Sequence, residues 1–370
     1  SLAAHDLGGA AIKAAVARSG VSGELVNEVL FGNCLMAGQG QAPARQAAFK
    51  GGLPISAGAV TLSKMCGSGM RAAMFGHDML LAGSADVLVA GGMESMTNAP
   101  YLLQKARGGY RIGHDRMFDH MMLDGLEDAY EPGRSMGTFG EDCAGKYAFT
   151  REQQDAFATA SVQRAQAATL SGAFAAEITP VTVRTRAGET TISIDEGPGK
   201  VKLDKIASLK PAFKKDGTIT AASSSSINDG AAAMVMMRAT TATKLGARPL
   251  ARIVAHAVHA QEPNWFATAP VGAMQKLLAK ANWSVKDVDL WEVNEAFAVV
   301  PMALMRELGL SHDIVNVNGG ACALGHPIGA SGARIMVTLI HALKARDLKR
   351  GVATLCIGGG EATAVAIELL

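Results

Sequence analysis

The sequence predicts an α/β fold, and two observations support this prediction. Apolar runs typical of buried strands, such as 87–90 and 353–357, alternate with helical patterns. One of these helices is expected over 153–170, because Thr150 and Gln153 form a capping-box pattern at its start. With 370 residues, 49% hydrophobic and 18% charged, the chain can bury a large core, which excludes wholesale disorder.

One sequence pattern occurs twice. Ser-Gly, a basic residue, an apolar helix, a strand, repeated glycine and a glutamate follow one another over 68–94 and again over 331–361. Chance is an alternative, since helix–strand units are common, but the number of shared features favours a duplicated α/β unit. Cys66 and His326 would then each precede the equivalent helix and face each other between the two halves, where sites commonly lie.

The residues between the halves differ in composition. Segments 108–113, 131–134 and 195–200 are rich in glycine and charge and are typical of loops. We therefore predict an inserted loop domain over 100–222 that carries a binding surface. The first α/β domain would comprise 1–99 and 223–247, and the second 248–370.

Composition also excludes several functions. The net charge is only +2 and the basic residues form no single stripe, so a nucleic-acid partner is not expected. No apolar run reaches the roughly 20 residues of a membrane span, and the first residues do not resemble a signal peptide. The five widely spaced cysteines form neither a disulfide framework nor a zinc-binding spacing. A reducing, cytoplasmic location is the expectation.

Two of these cysteines, Cys66 and Cys356, lie where a strand should give way to glycine-rich backbone. Glycine there allows unusual dihedrals and close approach to a ligand. A helix predicted to start just after Cys66 would favour its thiolate, the nucleophilic form. The alternative is a buried structural cysteine, and it is stronger for Cys356, which lies inside an apolar strand. The glycines after Cys356 could supply N–H donors to an oxyanion.

The other candidates are polar residues in predicted loops. His326 is flanked by glycine-rich sequence, and loops are where catalytic groups concentrate. A hydrogen-bonded structural histidine is the alternative. Asn294 follows the apolar run 288–293 and could be an ordinary strand-to-helix cap. None of these motifs is decisive alone.

Taken together and in order, the motifs resemble the thiolase family. They are Cys-Gly-Ser-Gly-Met at 66–70, Val-Asn-Glu-Ala-Phe at 293–297, Leu-Gly-His-Pro-Ile-Gly-Ala-Ser-Gly-Ala-Arg at 324–334 and Cys-Ile-Gly-Gly-Gly at 356–360. The resemblance covers essentially the whole chain and is greatest to biosynthetic acetyl-CoA acetyltransferases. It implies two duplicated domains in a five-layer αβαβα arrangement. The family begins with a strand that this sequence lacks, so one core strand is expected to be missing.

The resemblance implies a role for each candidate. Cys66 would carry the acyl group, and His326 would activate it and bind the thioester oxygen. Cys356 would remove an α-proton from a second acetyl-CoA. Asn294 would hold a water beside His326, and the N–H groups of Cys66 and Gly358 would form a second oxyanion hole.

The resemblance also implies a coenzyme A tunnel and a substrate preference. The tunnel would be lined by Met136, Phe213, Ala221, Ser225, Ala296 and Phe297. Phe266 would fill the acyl pocket and favour short acyl groups. The implied reaction is the reversible condensation of two acetyl-CoA molecules, with no metal or redox cofactor, in a homodimer or homotetramer.

Three other functions compete with this reading. A thiolase for longer 3-ketoacyl-CoA substrates differs only in chain length. A decarboxylating ketoacyl synthase would need histidine or asparagine in place of Cys356. A non-catalytic coenzyme A- or lipid-binding relative would be expected to lack Cys66 or His326, and both are present.

Overall fold

The computed structural model describes residues 2–186 and 188–370 and has the α/β architecture predicted from the sequence. Its strands are β1 Glu28–Gly32, β2 Gly58–Leu62, β3 Val87–Ser95, β4 Tyr101–Leu102, β5 Phe118–Asp119, β6 Val181–Thr185, β7 Gly188–Ile192, β8 Asp229–Met237, β9 Ala251–Ala260, β10 Leu290–Val293, β11 Arg350–Ile357 and β12 Glu361–Leu369. Its helices are α1 Ala4–Ser19, α2 Pro43–Lys50, α3 Ser68–Ala82, α4 Met136–Tyr147, α5 Arg151–Leu170, α6 Glu196–Lys200, α7 Ala239–Leu245, α8 Ala269–Ala281, α9 Val299–Leu308, α10 Ala321–Leu324 and α11 Ile328–Ala345.

Two four-stranded sheets repeat one topology. The first has the order β2-β1-β3-β8 and the second β10-β11-β12-β9. The parallel pair β1–β3 and the antiparallel pair β3–β8 correspond to the parallel pair β10–β11 and the antiparallel pair β11–β12. This repetition confirms the duplicated unit inferred from the two Ser-Gly patterns.

The sheets and helices form the predicted five layers. Helices α1 and α2 cover the outer face of the first sheet, with Ile12 and Ala47 packed against Val29 and Val89. Helices α3 and α11 lie between the two sheets and share one apolar core. Helices α8 and α9 cover the outer face of the second sheet, where Trp291 is fully buried. The sequence of layers is therefore α, β, α, β, α.

The two central helices approach each other closely because glycines meet at their crossing. A Cβ at Gly332 of α11 would lie 2.5 Å from the backbone nitrogen of Met70, and one at Gly69 of α3 would lie 2.8 Å from that of Ala333. Larger residues would push the helices apart. Because α3 starts just after Cys66 and α11 starts just after His326, this contact brings the two sequence motifs together.

The edges of the two sheets differ. Strands β8 and β12 occupy equivalent positions in the two sheets. In the second sheet β9 pairs with the outer edge of β12, whereas within residues 2–186 and 188–370 no further strand pairs with the outer edge of β8. Helix α1 instead packs beside β8. The additional first strand implied by the resemblance stays a prediction.

Most local predictions are confirmed and one is wrong. Helix α5 begins after Thr150, whose hydroxyl accepts from the Gln153 N–H at 3.3 Å while the Gln153 side chain accepts from the Thr150 N–H at 3.0 Å. The segment 195–200, predicted as loop, contains the short helix α6. Its glycines, Gly197 and Gly199, have helical backbone here, and Gly197 packs close to the carbonyl of Ala323.

The inserted segment packs on the second half of the chain. It contains the small antiparallel pairs β4–β5 and β6–β7 together with helices α4 and α5. The Arg164 side chain of α5 donates to the Val315 carbonyl at 2.8 Å. Within the described residues, no helix has both the length and the apolar character needed to span a membrane.

Candidate active site

Cys66 lies in a strained turn between β2 and α3. The residue before it, Met65, has a φ of 45°, a conformation that non-glycine residues rarely adopt. The Ser68 hydroxyl holds the turn by donating to the Met65 carbonyl at 2.6 Å and accepting from the Lys64 N–H at 2.8 Å. Strain of this kind persists only where surrounding contacts impose it, and it is concentrated at functional sites.

The Cys66 sulfur accepts hydrogen bonds from two backbone N–H groups. The N–H groups of Gly358 and of Cys66 itself hydrogen-bond to the sulfur. Burial raises the pKa of the Cys66 thiol to about 11, and these two hydrogen bonds oppose the rise. Gly67 makes the approach possible, because a Cβ there would collide with the Ile357 side chain. Two N–H groups from opposite halves thus converge where an oxyanion could be bound.

Cys356 is fully buried in β11, opposite Ala362 of β12. Burial raises its pKa well above the ordinary value, and a negative charge on nearby Cys66 would raise it further. The turn that follows needs glycine, since Gly359 and Gly360 have φ of 92° and 87° and a Cβ on Gly360 would collide with the Gln261 carbonyl. The structure therefore brings the two predicted thiols into one site.

His326 is buried just before α11, and its tautomer follows from its hydrogen bonds. Its Nδ1 lies 2.5 Å from the Ser331 hydroxyl, and that hydroxyl donates to the Pro327 carbonyl at 3.0 Å. The hydroxyl has one proton, so Nδ1 must be the donor and Nε2 is left as an acceptor. Burial, with a smaller effect of Arg334, lowers the His326 pKa to about 4. The imidazole is therefore neutral near pH 7.

Asn294 faces the free nitrogen of this imidazole. Its Nδ2 lies 3.5 Å from His326 Nε2, and its backbone N–H donates to the Thr354 carbonyl of β11 at 3.0 Å. Its Oδ1 is buried and accepts no hydrogen bond from the described residues. A buried amide oxygen without a protein donor is suited to bind water or a substrate group.

Two buried carboxylates, which the sequence analysis did not assign, hold the loops of the site. Glu94, at the end of β3, accepts from the backbone N–H groups of Cys34 at 3.0 Å, Leu35 at 3.1 Å and Gly329 at 2.9 Å. It thereby ties the start of α11 to the first sheet. Burial raises the Glu94 pKa, and these hydrogen bonds oppose the rise.

Glu295, next to Asn294, holds the loops of the site in the second half of the chain, as Glu94 does in the first. It accepts from the Ser161 hydroxyl of α5 at 2.6 Å, the Asn316 amide at 2.8 Å and the Cys322 N–H at 3.0 Å. Its position within the Asn-Glu-Ala-Phe motif is the sequence signal that could have indicated a role for Glu295 in the site. Ser331, the partner of His326, was likewise part of a quoted motif without an assigned role.

The residues proposed to contact coenzyme A lie in different surroundings. Phe213 and Phe297 make an edge-to-face contact with ring centres 5.7 Å apart, and the Ser225 N–H donates to the Ala296 carbonyl at 3.0 Å. The Met136 sulfur lies 3.5 Å from where a Cβ on Gly358 would be, which places it beside the catalytic turn. Ala221 is exposed.

Phe266 lies in a different environment from these residues. It is only 3% exposed and packs edge-to-face against Phe139 at 6.1 Å. It belongs to the same apolar cluster as Cys356, and Met136 packs against that cluster. Phe266 is thus a buried member of the apolar cluster that contains Cys356, and it is not an exposed lining residue.

Together these groups can perform covalent acyl chemistry. The site has two thiols, a neutral imidazole with a free acceptor nitrogen and two convergent backbone donors. Thioester formation needs a nucleophile with a base, and charge that develops on a carbonyl oxygen needs fixed donors.

Two family models match this chain. The thiolase N-terminal domain matches residues 1–240 and the thiolase C-terminal domain matches residues 247–369. Relatives named acetyl-CoA acetyltransferase are 49% identical over 367 residues in Chromobacterium violaceum and over 368 residues in Rhizobium meliloti, with 99% of this chain and 93% of each relative covered.

Solved structures are similar over the whole chain. The acetyl-CoA acetyltransferase of Bacillus anthracis has a TM-score of 0.96 at 40% identity, and a thiolase of Ascaris suum in complex with coenzyme A has a TM-score of 0.94 at 41% identity. Each comparison covers 100% of this chain and 94% of the other.

Proposed function

The chain belongs to the thiolase family, and on that premise we propose that it is an acetyl-CoA C-acetyltransferase. It joins two acetyl-CoA molecules into acetoacetyl-CoA and CoA, reversibly, through an acetyl thioester on Cys66. The observation that carries this proposal is that the turn holding Cys66 packs against the end of β11, which brings Cys66, Cys356 and the Gly358 N–H into one site. The relatives named acetyl-CoA acetyltransferase support the choice of substrate.

In the first step Cys66 is acetylated. His326 Nε2 takes the thiol proton as the sulfur attacks the carbonyl carbon and keeps it, and Cys356 gives its own thiol proton to the departing CoA thiolate. A thiol with a pKa of about 11 beside an imidazole with a pKa of about 4 is not ionised at rest. Proton removal therefore accompanies the attack.

In the second step Cys356, as its thiolate, removes an α-proton from a second acetyl-CoA. The resulting carbanion attacks the acetyl carbon, and the tetrahedral intermediate collapses with release of Cys66 thiolate, which takes back the proton held on His326 Nε2. The N–H groups of Cys66 and Gly358 bind one developing oxyanion. His326 and a water on Asn294 bind the enolate oxygen. Each such donor can be worth roughly 3–4 kcal/mol.

Three further features belong to this proposal. The substrate is a short acyl-CoA, because buried Phe266 takes up space next to the thiol-bearing core. The active form is a homodimer or homotetramer. The enzyme works in a reducing, cytoplasmic compartment, and the five free cysteines are in keeping with that environment.

Mass spectrometry and initial rates test the proposal together. We expect acetyl-CoA to add one acetyl group to the wild type and none to Cys66→Ala. The specificity constant should be higher for acetoacetyl-CoA than for 3-ketohexanoyl-CoA. A higher constant for the longer substrate would indicate a degradative 3-ketoacyl-CoA thiolase instead, and an absent adduct in the wild type would indicate a non-catalytic relative.

A further inference from the structure

A cluster of metal-binding side chains lies away from the active site, where α3 meets β9. It comprises His77 and Asp78 near the end of α3 and His256 in the middle of β9. His77 lies about 13.5 Å along α3 from its first residue, Ser68, at about 1.5 Å per residue, and Cys66 precedes that helix. The cluster is therefore separate from the acetyl-transfer chemistry.

The donor atoms are already close together. His256 Nε2 lies 2.9 Å from Asp78 Oδ1, and His77 Nδ1 lies 3.5 Å from the same oxygen. All three donors are within 4.8 Å of one another. Donors of a tetrahedral zinc ion, each about 2.1 Å from the metal, are about 3.4 Å apart. To reach that geometry, the two histidine nitrogens would approach by at most about 1.4 Å, and His256 Nε2 and Asp78 Oδ1 would move about 0.5 Å apart.

One donor atom, His77 Nδ1, has only the Asp78 carboxylate nearby within the described part of the chain and lacks a hydrogen bond of suitable geometry. His77 Nδ1 is buried and forms no hydrogen bond with the described residues, although Asp78 is nearby. The two imidazoles meet edge to face with ring centres 5.2 Å apart. A ring nitrogen that is shielded from solvent and left unpaired is costly unless something binds it.

Exposure and charge also suit a cation. The side chains of His77 and His256 are 22% and 13% exposed, whereas Asp78 is 52% exposed. Solvent can therefore enter from the Asp78 side and supply the remaining ligand. The Lys280 ammonium donates to the backbone carbonyl of His256 at 3.1 Å, and the Asp78 carboxylate supplies the negative charge of the cluster.

We propose that His77, Asp78 and His256 form a structural site for a divalent transition metal of the zinc type. Two imidazoles and one carboxylate, with a position left for water, are a donor set that zinc accepts. The metal would join a helix of the first half to a strand of the second. Because its ligands are 178 positions apart in sequence, no ligand spacing could have indicated the site.

Equilibrium dialysis of the whole 370-residue chain against Zn²⁺ tests this proposal. The protein is first freed of metal with a chelator, and its accessible thiols are alkylated so that active-site cysteines do not bind zinc. The variants are His256→Ala and Asp78→Asn. The matched control is His114→Ala, which removes an exposed histidine of the inserted segment.

We expect one zinc ion per chain in the wild type and the control, and at least about tenfold weaker binding in both cluster variants. Zinc should raise the unfolding temperature of the wild type and control only. Co²⁺ should give the visible spectrum of a low-coordinate nitrogen and oxygen site. The proposal is overturned if the wild type takes up no zinc, or if Asp78→Asn and His256→Ala bind it as tightly as the control.

Discussion

The candidate catalytic residues differ in burial and in hydrogen bonding, and these differences suit them to different steps. Cys66 is half-buried at a helix start and receives two N–H donors, whereas Cys356 is fully buried in a strand, where burial raises its pKa well above the ordinary value. In the proposed mechanism the first thiol would react with a carbonyl, and the second would exchange a proton. His326 differs from both because Ser331 holds its tautomer.

Replacing Cys356 should separate the two half-reactions. We expect Cys356→Ser to keep acetylation of Cys66 but to lose condensation, since a serine hydroxyl is too weakly acidic to exchange protons near neutral pH. The measurement is exchange of the acetyl α-hydrogens of acetyl-CoA with deuterated water, followed by mass spectrometry. Exchange at the wild-type rate in this variant would show that another group is the base.

Replacing Ser331 should weaken acetylation through the orientation of His326. Ser331→Ala removes the acceptor of the Nδ1–H, and a lost hydrogen bond of about 1–1.5 kcal/mol corresponds to roughly tenfold in rate. Quenched mass measurements of Cys66 acetylation across pH give the rate and its pH profile. The released imidazole should also change that profile.

The control is Thr338→Val. Thr338 is also buried in α11, and its hydroxyl donates to the Glu177 carboxylate. This variant should lower stability without changing the acetylation rate. Equal rate losses in the two variants would mean that Ser331 acts on the helix rather than on His326.

Among the secondary-structure elements, an unpaired strand edge indicates where two copies of the chain are expected to associate. β2 is the outermost strand of the first sheet and pairs with β1 alone among the described strands. Val60 in its middle is 47% exposed. An open edge with an apolar residue invites pairing with another chain unless it is covered. The proposed dimer would place a second copy on this edge.

Charge on this edge should therefore weaken the oligomer. We expect Val60→Lys to shift the protein toward monomer in size-exclusion chromatography with light scattering at micromolar concentration, because lysine at an edge opposes strand pairing. Leu170→Lys, at an 88% exposed leucine at the end of α5, is the control and should leave the mass unchanged. A Val60→Lys protein of wild-type mass would place the interface elsewhere.

Across the whole molecule, buried charges link the layers. Glu292 of β10 lies 3.8 Å from Arg334 of α11, and one oxygen of its carboxylate has no hydrogen bond in the described part of the chain. Burial is the main reason that its pKa is raised to about 8. The pKa of Glu177, from the inserted segment, is raised to about 7, again mainly by burial.

These raised values predict loss of stability at alkaline pH. A carboxyl whose folded-state pKa exceeds its unfolded value stabilises the fold below the unfolded pKa, and that contribution is lost as pH rises through the folded pKa. For Glu292 the loss between pH 7 and 9 is about 1 kcal/mol. We expect the unfolding temperature of the wild type to fall over this range.

Glu292→Gln is the variant that checks this assignment, because glutamine has the same shape and stays neutral. Its unfolding temperature should fall less than that of the wild type between pH 7 and 9, measured by differential scanning calorimetry. The same fall in both proteins would assign the pH dependence to other groups.

His326 affects stability at acid pH instead. Because its folded-state pKa is lowered, it stabilises the fold above about pH 6.5, and that contribution is lost as the pH falls to about 4.

Much of the fold was predictable because its signals are local. The capping box of α5 and the strand around Cys356 are each set by a few neighbouring residues, and the duplicated pattern follows from their order. The α6 helix was missed because glycine and proline usually indicate loops, and packing against neighbouring α5 and α10 overrides that preference here.

By itself the sequence determined the α/β class, the duplication and the ordered motifs that contain both thiols, His326 and Asn294. The tertiary structure decided which groups meet. Glu94 accepts from an N–H 235 positions away, and Asp78 meets His256 across 178 positions. Periodicity and spacing report only interactions between near neighbours in the chain, whereas these contacts depend on how two sheets and two central helices pack. Hydrogen-bond partners, burial and the resulting pKa shifts follow from that packing alone.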